Sequence, residues 1–163
     1  MKNSNIFLSP GHPERKFHNC KNLAGSFCRC PAIFDSMKRP VIHPDRDKAF
    51  ATGAYTDAVL IDGWLYVSGQ ASVDFNTSAF VLGTIEEETT RTLQNIQTII
   101  ETAGGQMDQV VKCTVHLADI SDFDRYNTVY AGFFTGVKPA RTTVQSVLAE
   151  GIKVEIDCVA KIA

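Results

Sequence analysis

From Thr52 onward the apolar and polar positions fall into regular runs. Tyr55–Ile61 and Trp64–Ser68 are two mostly apolar stretches separated by Asp62-Gly63, a pair that favours the left-handed backbone of a tight hairpin, so they are predicted to pair as strands. A polar loop follows, from Ala71 to about Gly83. In "TIEEETTRTLQNIQTIIETAGG" Leu93, Ile96, Ile100 and Ala103 recur at helical spacing, with Ile99 beside them. Thr84 followed three residues later by Glu87 is a capping-box pattern. Glu86, Glu87 and Glu88 then stand where the helix dipole favours negative charge, and Gly104-Gly105 ends the helix. Thr89 and Thr90 are expected on its solvated side.

"QVVKCTVHLAD" alternates, with Val111, Cys113, Val115 and Leu117 on one face and Lys112, Thr114 and His116 on the other, which predicts a strand. "SDFDRYNTVYAGFF" places Phe123, Tyr126, Tyr130 and Phe133 or Phe134 on one helical stripe after a Ser121 cap. "RTTVQSV" and "KVEIDCVAKI" read as two closing strands that pair with each other. The predicted order is β-β-α-β-α-β-β, an α+β domain of two layers with both helices on one face of a mixed sheet. The other face, carrying Trp64, Val147 and Val159, has no segment of the chain to cover it, and a second subunit is the natural cover. Trp64, Tyr126 and Phe133 are read as core or interface side chains.

The first 36 residues differ. Pro, Gly, Asn and Ser recur at short intervals with neither helical nor strand periodicity, which predicts loop or disorder. They carry five basic residues against Glu14 and Asp35, a net +3, so residues 37–163 hold 11 basic and 16 acidic residues, a net −5. No apolar core of a secretory signal is present, and a basic organelle-targeting segment is the alternative to a mis-assigned start at Met37. Cys20, Cys28 and Cys30, with His12 and His18, lack the paired-ligand spacing of a zinc site. Cys113 and Cys158 sit within predicted strands as small core residues, and the odd total of five cysteines suits a reducing, cytoplasmic setting better than a disulfide framework. No run of about 18 apolar residues exists to form a spanning helix. The acidic globular part is a poor footprint for nucleic acid.

Common catalytic devices are missing: no G-x-S-x-G, Walker A, G-x-G-x-x-G or H-E-x-x-H occurs, and the globular part has only His43 and His116. His116 is read as a surface or hydrogen-bonded structural residue. Chemistry without metal, cofactor or histidine is then expected to rest on Arg141, which opens a strand, and on Glu155, fourteen residues later. A guanidinium can clamp a carboxylate through two parallel hydrogen bonds, and a nearby carboxylate can orient water. An Arg141–Glu155 salt bridge across a hairpin is the competing reading.

"GAYTDAV", "LYVSGQ", "TLQNIQTIIETAGG", "VVKCTVHLADISDFDRYNTVYAGFF", "KPAR" and "VEIDCVA" occur in an order and spacing that resembles the Rid (reactive intermediate/imine deaminase, or YjgF) family, from about Met37 to the C-terminus. The resemblance implies a chorismate-mutase-like fold of the bacillar type, assembled as a homotrimer with sites between subunits. It implies cofactor-free hydrolysis of 2-imino or enamine acids, such as 2-aminoacrylate and 2-iminopropanoate, to 2-keto acids and ammonia. Carried over by position, Arg141 becomes the carboxylate clamp and Glu155 the water-orienting group. Tyr55, Ser68, Gly69, Asn127 and Thr143 would line the same cleft. Ala54 replaces the family's usual proline, Thr143 stands where cysteine is frequent, and the loop Leu148–Gly151 lacks the common Leu-Pro turn. The tail before Met37 has no counterpart in the family, which divides the chain into an extension, 1–36, and one Rid-like domain, 37–163. A non-catalytic trimer that binds small carboxylates, and an RNA-cleaving translation inhibitor, are the alternative functions.

Overall fold

The structure, a computed structural model, describes residues 19–21, 27–29, 37–46 and 53–162. The chain divides into two compact units, Met1–Ser36 and Met37–Ala163. In the first, β1 (Asn19–Lys21) and β2 (Phe27–Arg29) pair antiparallel where the sequence predicts loop. The remaining expectations for residues 1–36, metal ligands and targeting included, lie outside the described residues.

The second unit is built on a six-stranded sheet. Its strands are β3 (Arg39–Val41), β4 (Ala58–Ile61), β5 (Trp64–Gln70), β8 (Val110–Leu117), β9 (Ala140–Gln145) and β10 (Val154–Lys161), in the order β3-β4-β5-β10-β8-β9. A small hairpin, β6 (Val73–Asp74) with β7 (Ala79–Phe80), occupies the predicted polar loop. The helices are α1 (Ile85–Thr102) and α2 (Phe123–Phe133). Asp62 and Gly63 both have positive φ, 50° and 75°, and turn β4 back into β5 as the Asp-Gly pair demands.

The last two strands do not pair with each other. β8 and β9 run parallel, and the chain between them crosses over through α2, as any parallel neighbour requires. β10 then enters between β5 and β8, antiparallel to both. Its Val154, Ile156, Cys158 and Ala160 are all buried, so the central position goes to the strand with the most complete apolar face.

The core lies between this face and the helices. Leu65, Val67, Val115, Leu117 and Ile156 meet Leu93, Ile96, Ile99 and Ile100 of α1, Tyr126 and Tyr130 of α2, and Phe134 just past its end. Two predicted details change. Val110, not Val111, enters the core, because a register shift opposite Val159–Ala160 turns Val111 outward. Ser121 does not cap α2. It lies in a 3-10 turn whose first amide bond is accepted by Asp119, and Asp122 opens the helix without a side-chain cap.

α1 begins with the predicted capping box between Thr84 and Glu87. Thr89, expected in solvent, is fully buried and returns its hydroxyl to the Ile85 carbonyl. Glu88 is also fully buried. Its carboxylate accepts from the amides of Gly83 and Lys153, at 3.0 and 2.7 Å, and from Lys153 Nζ at 3.1 Å. Glu88 thereby fastens the entry of β10 to the start of α1. Glu88→Ala leaves two amides and one ammonium without their acceptor, and is expected to lower unfolding free energy by about 3 kcal/mol in urea titration. An unchanged midpoint would mean that water replaces the carboxylate at no cost. No helix among the described residues is long and apolar enough to cross a membrane.

The face away from the helices is open. Trp64, Tyr66 and Val144 are 38, 49 and 39% exposed there, and Val147, just past β9, is fully exposed.

Candidate active site

Arg141 stands beside Cys113 in the parallel register of β9 with β8, on the side of the sheet that carries the helices. Its guanidinium lies on α2. Nη1 donates to Asn127 Oδ1 at 2.9 Å and approaches the Tyr126 hydroxyl at 3.3 Å. The guanidinium carbon is 4.6 Å from the centre of the Tyr130 ring, 5.4 Å from Tyr126 and 5.5 Å from Phe123. Three aromatic residues at i, i+3 and i+7 of one helix thus form a platform under a planar cation, which holds the fork in place without neutralising it. Among the described residues, no carboxylate forms an ion pair with Arg141. Thr143, two residues on and in register with Val115, points to the same side, and its buried hydroxyl borders the Tyr126 hydroxyl without a well-formed hydrogen bond.

The other ionisable groups of this cluster are held neutral. Burial pushes the Tyr126 and Tyr130 phenols far above their usual range, against the opposing pull of Arg141. Burial raises the Cys113 thiol as well, and raises Cys158 well above its ordinary value. Neither phenolate nor thiolate is therefore on hand as a base or nucleophile. The cluster offers a fixed positive fork and polar neutral neighbours, which suits recognition of a carboxylate and not covalent catalysis.

Glu155 belongs to a second cluster. It is opposite His116 in the register of β10 with β8. Cys113 and His116 are three residues apart on β8, so Arg141 and Glu155 lie on opposite faces of the sheet. That geometry removes the salt bridge across a hairpin as a reading. It also separates two residues that the sequence places in one cleft: within one chain they do not meet.

Around Glu155 the structure gathers Ser68 and Gly69. A Cβ on Gly69 would fall 2.2 Å from Glu155 Oε1 and 3.0 Å from its carboxyl carbon, so the carboxylate lies directly over bare backbone. The register of β5 with β10 shifts at this level, between Ile156 and Cys158. Ser68 is pinned from both ends: its amide donates to Asp57 O at 2.9 Å, and its hydroxyl to Thr56 O at 2.6 Å. Tyr55, the residue before Thr56, is 58% exposed at the mouth of β4. The seven predicted residues therefore divide into Arg141, Asn127 and Thr143 on the α2 side, and Ser68, Gly69 and Glu155, with Tyr55 close in sequence to Ser68's partners, on the other side.

Sequence reasoning missed what braces the second group. Asp57 is buried and accepts from the His43 amide at 2.8 Å, from Arg46 Nε at 2.8 Å and from Arg46 Nη2. The His43 ring stacks on Phe75 with centroids 3.9 Å apart, and the Arg46 guanidinium covers the same ring. Burial lowers the His43 pKa, and its Nδ1 accepts from the Asp45 amide at 3.3 Å, the geometry of a neutral ring. The signal was present in the chain: an aspartate set just before an apolar strand, in "YTDAVL", needs a cation if it turns inward. Among the described residues, no cluster of His, Cys, Asp and Glu has the form of a metal site.

Residues 46–162 match the family model described as Endoribonuclease L-PSP. The chain is 41% identical over 126 residues to the rat protein named 2-iminobutanoate/2-iminopropanoate deaminase, covering 77% of this chain and 91% of that one. It is 40% identical over 127 residues to protein DfrA of Myxococcus xanthus, covering 76% and 96%. Among solved structures, RidA of an Antarctic Psychrobacter superposes with a TM-score of 0.69 at 35% identity, over 76% of this chain and all of that one. Escherichia coli TdcF, solved with bound serine, gives a TM-score of 0.69 at 27% identity, over 77% of this chain and all of that one. The mixed α+β fold is the fold of these proteins, and the chain belongs to the endoribonuclease L-PSP family, also known as the Rid or YjgF family.

Proposed function

We propose that this protein hydrolyses 2-imino and enamine acids, of the 2-aminoacrylate and 2-iminopropanoate type, to 2-keto acids and ammonia. The observation that carries the reading is the Arg141 fork, fixed on three rings and Asn127 yet unpaired with any carboxylate among the described residues. The deaminase names of relatives about 40% identical, and serine in the TdcF structure, support a small amino or imino acid as the ligand.

An imine carbon is already electrophilic, more so once its nitrogen is protonated. Hydrolysis then needs the carboxylate held, the C=N bond oriented and one water placed, and positioning of that kind can supply much of the acceleration. Arg141 holds the carboxylate, with Asn127 and Thr143 beside it. Glu155 orients water and accepts its proton, with Ser68, Gly69 and Tyr55 shaping the floor. Because Arg141 and Glu155 face opposite ways, one subunit must supply the clamp and a neighbour the carboxylate. A homotrimer whose open sheet faces turn inward, in the chorismate-mutase-like manner, would cover Trp64 and Tyr66 and place clamp and carboxylate in shared clefts.

The test generates imino acids in situ with an amino-acid oxidase and traps surviving imine with semicarbazide. Addition of the protein should lower the semicarbazone signal. If it does so for no amino acid, while a 2-keto acid still binds, the protein is a carboxylate-binding trimer instead. An RNA-cleaving role has the net −5 of residues 37–163 against it. A third check uses Gly69→Ala. The added methyl must displace the Glu155 carboxylate, so kcat should fall about tenfold, the loss of part of a general-base contribution, with the far-UV spectrum unchanged. Full activity in that variant would detach Glu155 from the reaction.

A further inference from the structure

His116 stands outside the chemistry of Arg141 and Glu155, yet it occupies the place directly opposite Glu155 on the open face. Side chains directly opposite in an antiparallel pair have Cβ atoms about 4.5–5.5 Å apart. The two lean away from each other. Glu155 lies over Gly69 of β5, whereas His116 Nδ1 shares a 2.8 Å hydrogen bond with Ser146 Oγ beyond the end of β9. Ser146 is itself fixed, because its amide donates to the Leu117 carbonyl at 2.9 Å. Among the described residues, no ion pair joins His116 to Glu155. The ring is thus half-buried, held through Nδ1, and left with Nε2 for another partner. Gly69, Glu155, His116 and Ser146 form a polar row across β5, β10, β8 and the end of β9, on a face otherwise marked by Trp64, Tyr66 and Val144.

We propose that His116 is a second acid–base group of the imine hydrolysis, exchanging protons with Glu155 through the water or the departing amine between them. This rests on the deaminase reading above. When water adds to the protonated imine, its oxygen bonds to carbon and the C=N π pair moves onto nitrogen. The proton that water loses goes to Glu155 and from there to His116. In the second half, His116 returns the proton to the amine nitrogen. An oxygen lone pair of the carbinol forms the carbonyl as the C–N bond breaks, ammonia leaves with the bonding pair, and the hydroxyl proton passes to Glu155 and then to ammonia. Imidazole changes charge within the physiological range, which suits a group that must both take and return a proton in each turnover. Ser146 is a positioning residue, since its bond to Nδ1 leaves Nε2 as the ring nitrogen that exchanges the proton.

Few other charges bear on the ring. β10 contributes Glu155 and, diagonally, Asp157; β9 contributes Thr142 and Val144, neither titratable; Lys112, on the same strand as His116, donates to Thr142 Oγ1 at 2.8 Å. No helix among the described residues covers this face. The comparison of pH profiles between wild type and His116 variants is therefore the readout for this pair.

The experiment measures kcat and kcat/KM from about pH 5 to 9 for wild type, His116→Gln and Ser146→Ala in the semicarbazide assay. His116→Gln should lower kcat about a hundredfold, at the lower end of general acid–base contributions, and shift the acidic limb to lower pH. Added imidazole should restore part of the rate to His116→Ala. Ser146→Ala should cost about tenfold in kcat with the limb retained, and it keeps the test open should both His116 variants fail to assemble. A wild-type pH profile and rate in His116→Gln, or a wild-type rate in Ser146→Ala when the His116 variants do not assemble, overturns the inference and leaves the deaminase reading standing. Absence of turnover by the wild type sinks both.

Discussion

Arg141→Lys should fold as the wild type does and lose about a hundredfold in kcat/KM toward imino acids, roughly 2.7 kcal/mol of transition-state binding. The charge survives the change, so a purely electrostatic role would leave most of the activity. What lysine lacks is the planar fork. In the structure the guanidinium carbon sits 4.6 Å from the centre of the Tyr130 ring, with Tyr126 and Phe123 alongside, and one nitrogen is held by Asn127 at 2.9 Å. An ammonium has no planar face to stack and cannot present two parallel donors to a carboxylate. The loss should appear in KM as well as kcat, because the clamp both binds the substrate and orients its C=N carbon for attack in the transition state. Asn127→Ala should move in the same direction by a smaller factor. A wild-type rate for Arg141→Lys would remove the clamp from the mechanism.

Glu155→Gln should give the complementary pattern: kcat down at least a hundredfold, within the range of general acid–base contributions, with KM little changed. Glutamine fills the same space over Gly69, so the packing seen there survives. It cannot take a proton from water. Ligand affinity, measured with the 2-keto acid product by calorimetry, should stay near that of wild type in Glu155→Gln and drop in Arg141→Lys. The pairing of these two results bears on the division of the site between subunits. Mixing the two inactive variants after reversible dissociation should restore activity, since some clefts would then combine an intact Arg141 with an intact Glu155. No recovery in a verified mixed oligomer would put both residues in the same subunit's share of the cleft.

Much of this protein was legible in its sequence because the relevant physics is local. The Asp62-Gly63 turn, the Thr84–Glu87 capping box and the apolar stripe of α1 are each fixed by residues a few positions apart, and each is observed. The alternation of β10 is equally local: "VEIDCVA" fixes which residues face the core and leaves Glu155 outside it. The family was readable for the same reason, from short motifs in order.

What only the tertiary structure decided are the contacts that depend on which strands become neighbours. The order β10-β8-β9 depends on the hand of the crossover through α2, which no short stretch encodes, and it places Arg141 and Glu155 on opposite faces. The burial of Glu88 is likewise a non-local outcome. A third glutamate in a helix's first turn reads as solvated until the amide of Lys153, 65 residues away, arrives to need an acceptor. Asp57 waits on Arg46 and on the amide of His43 in the same way. The sequence by itself determined the elements, the apolar faces and the family; the long-range partners of buried charges, and the face on which each functional side chain stands, were set only when the sheet closed around β10.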